Sequence, residues 1–127
     1  MSPADLEVLP HQFPFRLVER SEAIGTSTVA ISLASAGDFL TRISPWPVTL
    51  VAEALAQAIL LVERPQQPRA LRLVGLDAVS LKQPVQAGDR LEVEICELGT
   101  FGALRRYACR ATRAGALAAC AEVTVTS

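Results

Sequence analysis

The chain is poor in the residues that most often do chemistry. Its 127 residues include one histidine, His11, with one tryptophan, one tyrosine and one methionine, and aromatics make up 5%. A single imidazole leaves little from which to build a zinc site. The cysteines, Cys96, Cys109 and Cys120, are odd in number and lack metal-ligand spacing. No metal and no cofactor is therefore expected, and unpaired thiols point to a reducing compartment, so a cytoplasmic location is expected. Charge is also sparse: 12 Lys and Arg against 13 Asp and Glu give a net charge of −1. There is no basic run, which argues against nucleic-acid binding. In the arginine-rich segment 104–113, cations alternate with apolar residues, as on the solvated face of a strand. The opening MSPADLEVLPHQ has neither a basic start nor an apolar core, so no signal peptide is expected.

What the chain has in surplus is apolar surface. Half of its residues are hydrophobic, with a mean hydropathy of +0.32. One domain over 1–127 with a core of its own is expected at this length. The surplus beyond that predicts burial between subunits, hence a homodimer or a higher homo-oligomer of dimers. The apolar residues are densest at 47–62, where only Thr49, Glu53 and Gln57 are polar. Those three are four apart, so a helix aligns them in one narrow stripe. A helix apolar almost all round is one that other structure wraps. It is short and charged for a membrane span, so no membrane is expected as a partner. A carboxylate on such a helix is costly to ionise unless paired, and acids of this kind cluster at working sites. Glu53 is accordingly the first candidate.

The remaining segments read as strands. Residues 17–24 and 26–33 flank a turn at Gly25, and in the second of these Val29, Ile31 and Leu33 alternate with Thr28, Ala30 and Ser32. Residues 36–46 are irregular, and Pro47 suits the first turn of the helix. Beyond it come strands at 71–81, 91–98, 103–112 and 116–126, with turns at 84–89, 99–102 and 114–115. Two strands, a buried helix and four strands make an α+β layout, an antiparallel sheet wrapped around one long central helix.

Three stretches carry a family resemblance. LPHQFPFRLVER (9–20) resembles the opening LPHRxPFLLVDR of FabZ-type 3-hydroxyacyl-ACP dehydratases. AEALAQAILL (52–61) resembles their helix motif EAxAQ, and VGLDAVSLKQPVQAGDRLEVEI (74–95) resembles their strand-turn-strand motif with PVxxGDxL intact. The resemblance implies a hotdog fold, an acyl-ACP or acyl-CoA thioester as substrate, and Glu53 as the catalytic acid. Family members pair edge strands between subunits and build each site across the dimer interface. The chain departs from the family at one place. The catalytic histidine of the family belongs to a GHFPGxPxxPG loop just before the helix. Counting back from Glu53 without a gap, Phe39 takes its position, and GDFLTRISPWPV (37–48) contains no histidine. The loop's glycines are missing as well.

Dehydration needs a base at C2, an acid for the leaving 3-hydroxyl and donors at the thioester oxygen. Glu53 fits the acid, against a structural glutamate at a dimer contact. Gln57 orients Glu53 or the substrate, or else bonds the helix to the sheet. His11 matches the histidine of the N-terminal motif, with a structural role or that of a substitute base. Phe39, Trp46 and Phe13 line an acyl pocket or belong to the core. The N–H groups at the helix start, around 48–50, are candidates for the thioester oxygen. Two alternatives to a dehydratase stand: a non-catalytic acyl-thioester binder or partner subunit, and a hotdog thioesterase.

Overall fold

The computed structural model describes residues 17–35, 42–63 and 72–126. In chain order these hold β1 (Val18–Ala23), β2 (Thr28–Leu33), the helix α1 (Val48–Glu63), β3 (Arg72–Leu81), β4 (Arg90–Phe101), β5 (Leu104–Arg113) and β6 (Ala116–Thr126). The six strands form one sheet in the order β1-β2-β4-β5-β6-β3, antiparallel at every pairing. The helix packs against all six. This is the expected α+β arrangement, a sheet curled around one helix.

Side-chain alternation decides which face of the sheet meets the helix. On β4 Leu91, Val93 and Ile95 are buried while Glu92 and Glu94 are exposed. The register carries that inner face across the sheet: Val29 lies opposite Val93, and Val93 opposite Ala111. Tyr107, Cys109, Ala121 and Val123 continue it on β5 and β6. From the helix come Leu55 and Ile59, both fully buried, each contributing about 1.5–3 kcal/mol of burial. Between the large residues, Ala52, Ala54, Ala56 and Ala58 are all buried. Their small side chains let the curled sheet approach the helix closely, and alanine is the best helix former.

Strand ends fall within two residues of the sequence expectation except at the end of β4, where the reason is local. β4 runs to Phe101 instead of ending at Leu98, because Gly99 is absorbed into the strand as an irregularity between Glu97 and Gly99. Glycine inside a strand commonly marks such a bulge. The turn is thereby cut to 102–103, with Phe101 paired to Leu104 and Gly102 at φ 60°. Between β5 and β6, Ala114 at φ 51° and Gly115 at φ 83° form the expected two-residue loop. Positive φ at both central residues matches the right-handed twist of a hairpin.

Candidate active site

The polar stripe on α1 runs from the surface to the interior. Thr49 is exposed, Glu53 is half-buried, and Gln57 is 0% exposed. From Val51 to Leu61 every helix residue except Glu53 is buried. The helix is thus enclosed nearly all round, as its composition requires, and one carboxylate keeps access to the outside. Glu53 already engages a polar or charged neighbour.

Gln57 ties the helix to the sheet. Its Oε1 accepts from the backbone N–H of Leu17 at 3.0 Å and of Val18 at 3.2 Å, all of it buried. The N–H groups at the head of β1 therefore find their acceptor on the helix. The helix-to-sheet alternative for Gln57 is present, and its oxygen is committed to that role.

The helix start is held from the other side by the turn after β3. The Trp46 N–H donates to Val85 O at 2.6 Å, and Ser44 Oγ donates to Gln86 Oε1 at 3.0 Å. Trp46 is 1% exposed and Val85 0%, so both are core residues. The structure places the Trp46 ring in the core instead of on an open pocket wall. Pro47 O accepts from Leu50 N at 3.0 Å and Val51 N at 3.2 Å, closing the first turn. Of the helix-start N–H groups around 48–50, Leu50's is thus already engaged. His11, Phe13 and Phe39 lie outside the described residues.

A surface groove of about 620 Å³ lies beside Leu98, Phe101, Leu104 and Arg106. It is at the far end of the sheet from the helix start. Leu104 pairs with Thr126, and Thr126 with Arg72, where β3 begins, whereas the helix start meets the chain just after β3 ends. The groove is therefore separate from Glu53. Among the described residues no cluster of three or more His, Cys, Asp or Glu side chains is arranged to hold a metal ion. Nor is any helix among them long and apolar enough to cross a membrane.

One enclosed helix in a curled antiparallel sheet, with a carboxylate at its accessible end, defines a hotdog-fold protein. Solved structures agree. The chain superimposes on the dehydratase heterocomplex ApeI:P of Xenorhabdus doucetiae with a TM-score of 0.73, at 20% identity, covering 96% of this chain and 90% of that one. It superimposes on thioesterase superfamily member 2 of Mus musculus with a TM-score of 0.60, at 11% identity, covering 84% and 85%. In sequence it is 33% identical over 131 residues to the 3-hydroxyacyl-[acyl-carrier-protein] dehydratase FabZ of Thermomicrobium roseum, covering 92% of this chain and 85% of that protein. It is also 33% identical over 132 residues to FabZ of Albidiferax ferrireducens, covering 94% and 88%. No family-wide profile matches the chain. The chain belongs to the FabZ-like family of hotdog dehydratases.

Proposed function

We propose that the protein acts on 3-hydroxyacyl thioesters, carried by ACP or CoA, as a dehydratase-like homodimer in the cytoplasm, with Glu53 as its acid. The observation that carries this reading is the helix itself: between Val51 and Leu61, Glu53 alone is not buried. In the reaction a proton leaves C2, its electron pair forms the C2–C3 double bond, and the 3-hydroxyl departs as water after taking a proton from Glu53. Gln57, one turn further along, fixes the helix against β1 and so fixes where that carboxyl stands. By their places in the sequence Phe39 and His11 are assigned to the acyl side of the site, whereas Trp46 backs the helix start from the core. Without a histidine at 37–48, the base falls to His11 or to a residue of a partner subunit.

That missing histidine favours one second reading, a partner subunit that binds the acyl thioester without turning it over. The similarity to a dehydratase heterocomplex supports it.

Mass spectrometry of 3-hydroxyacyl-ACP and 3-hydroxyacyl-CoA incubated with the protein separates these readings. Enoyl thioester is the expected product. Free acid would mean a thioesterase, and unchanged thioester the partner-subunit reading. Glu53→Gln nearly preserves shape, and it is expected to lower turnover by roughly 10²- to 10⁴-fold while leaving the fold intact. Turnover untouched by this change would remove Glu53 from the chemistry.

A further inference from the structure

The turn between β3 and β4 touches the helix start, and a single arginine binds the turn at both ends. Where the chain enters, Lys82 N and Gln83 N both donate to Ala118 O on β6, at 2.7 and 3.1 Å. Where it leaves, Asp89 O accepts from Leu33 N on β2 at 2.8 Å. Inside the turn Gln86 N donates to Asp89 Oδ2 at 3.0 Å, and Asp89 N returns a bond to Gln86 O at 3.1 Å. Arg113, the last residue of β5, closes the gap between entry and exit. Its Nη1 donates to Pro84 O at 2.6 Å and to Asp89 Oδ2 at 2.8 Å, and its Nη2 donates to Gln83 Oε1 at 3.3 Å. The Arg113 side chain is 32% exposed and that of Asp89 17%, so water screens this pair less than an open surface pair. A guanidinium suits the place because its rigid fork presents several donors at fixed angles, whereas a lysine offers one flexible point charge.

The two residues in the middle of the turn are the ones that reach the site. Val85 O takes the Trp46 N–H and Gln86 Oε1 takes the Ser44 hydroxyl, immediately before the helix that bears Glu53. The chain of contacts is continuous: Arg113, the turn, Ser44 and Trp46, then the first turn of α1. We infer that Arg113 is a positioning residue for the candidate site, holding the 84–89 turn so that Val85 and Gln86 fix the helix start and, through it, the Glu53 carboxyl. The catalytic half of this statement rests on the dehydratase reading above; the mechanical half does not. The hydrogen bonds of Arg113 run to the turn, at Gln83, Pro84 and Asp89, and it is through the turn that it acts on the site.

Trp46 is the chain's sole tryptophan, so its fluorescence reports on the contact at issue. Acrylamide quenching of Trp46 is measured for wild type, Arg113→Ala, Arg113→Lys and Arg106→Ala, each first verified as folded by circular dichroism. Arg106 is a matched control: it lies on the same strand and bonds Glu122 at 2.9 Å, but at the opposite end. Arg113→Ala is expected to raise the quenching constant at least threefold, Arg113→Lys to fall between, and Arg106→Ala to match wild type. If Arg113→Ala does not fold, Arg113→Lys carries the test. Wild-type quenching in a folded Arg113 variant, or an equal rise in Arg106→Ala, overturns the inference. On 3-hydroxyacyl thioester, Arg113→Ala is expected to lower kcat about tenfold with KM within twofold, and Arg113→Lys to recover part of kcat. An unchanged kcat together with raised quenching would overturn the link to Glu53. A wild type that turns over no thioester defeats the dehydratase reading instead, and the quenching comparison still decides whether Arg113 holds Trp46.

Discussion

Cys109 faces the helix from β5 and is 1% exposed. Burial penalises its thiolate and pushes the thiol from 9.0 up to about 12. The folded protein therefore keeps a proton that the unfolded chain releases. Below pH 9.0 this group makes no pH-dependent difference, and between pH 9.0 and about 12 stability is lost as pH rises. The slope is up to about 1.4 kcal/mol per pH unit. Urea unfolding of wild type and Cys109→Ala across that range should show the extra loss only in wild type. The exposed Cys96 should react with iodoacetamide in the native state, and Cys109 only after unfolding. Gln57 is the other decisive residue at this scale. Gln57→Leu keeps the apolar bulk but removes the acceptor of two buried N–H groups, at Leu17 and Val18. A loss of about 1–3 kcal/mol is expected from urea melts. A neutral result would mean that the head of β1 finds another acceptor.

Among the elements, the hairpins are set by glycines and by the residues beside them. Ala114 adopts φ 51°, a conformation that Cβ disfavours, whereas Gly115 at φ 83° is at ease there. Asn-Gly is the preferred pair for a two-residue hairpin loop, so Ala114→Asn should stabilise the protein by about 0.5–1 kcal/mol. Gly115→Ala should destabilise it by about 1–2 kcal/mol for the converse reason. The space around Gly115 is open, so the second change isolates backbone strain from steric clash. Thermal melts of the two variants moving in the same direction would contradict the argument. α1 differs in kind from the hairpins: it has no acidic residue in its first turn and no basic residue in its last. Its stability comes from the sheet that encloses it, as expected for a helix in which packing outweighs terminal charge.

At the scale of the whole molecule, β1 and β3 form the two edges of the sheet. β3 is irregular, with register shifts between Leu73 and Gly75 and between Asp77 and Ser80, and with Ala78 at φ 49°. Val74 on the same strand is 54% exposed. An edge strand with unpaired backbone groups is a template for pairing. The proposed homodimer draws on that edge together with the apolar surplus of the composition. Sedimentation at micromolar concentration is expected to return twice the 13.6 kDa chain mass. A monomer would overturn this.

Much of the architecture was legible in the residues because period and burial are local quantities. Alternation on β2 and β4 marked the inner face, and the near absence of polar residues at 47–62 required an enclosing sheet. The motif EAxAQ singled out Glu53 and Gln57 but left open what Gln57 bonds to. That depended on Leu17 and Val18, about forty residues earlier, reaching the helix. The sequence also marked PVQAGD as a turn, yet nothing in it pointed to Arg113, whose neighbours in the chain read as a solvated strand. The pairing of β4 with β5 sets Arg113 beside the end of the turn at Asp89, and the order β5-β6-β3 sets it near the turn's entry at Gln83 and Pro84. Hydrophobic period specifies which way each side chain faces, whereas contacts between distant segments depend on strand order and register. Those are set when the whole sheet closes on the helix.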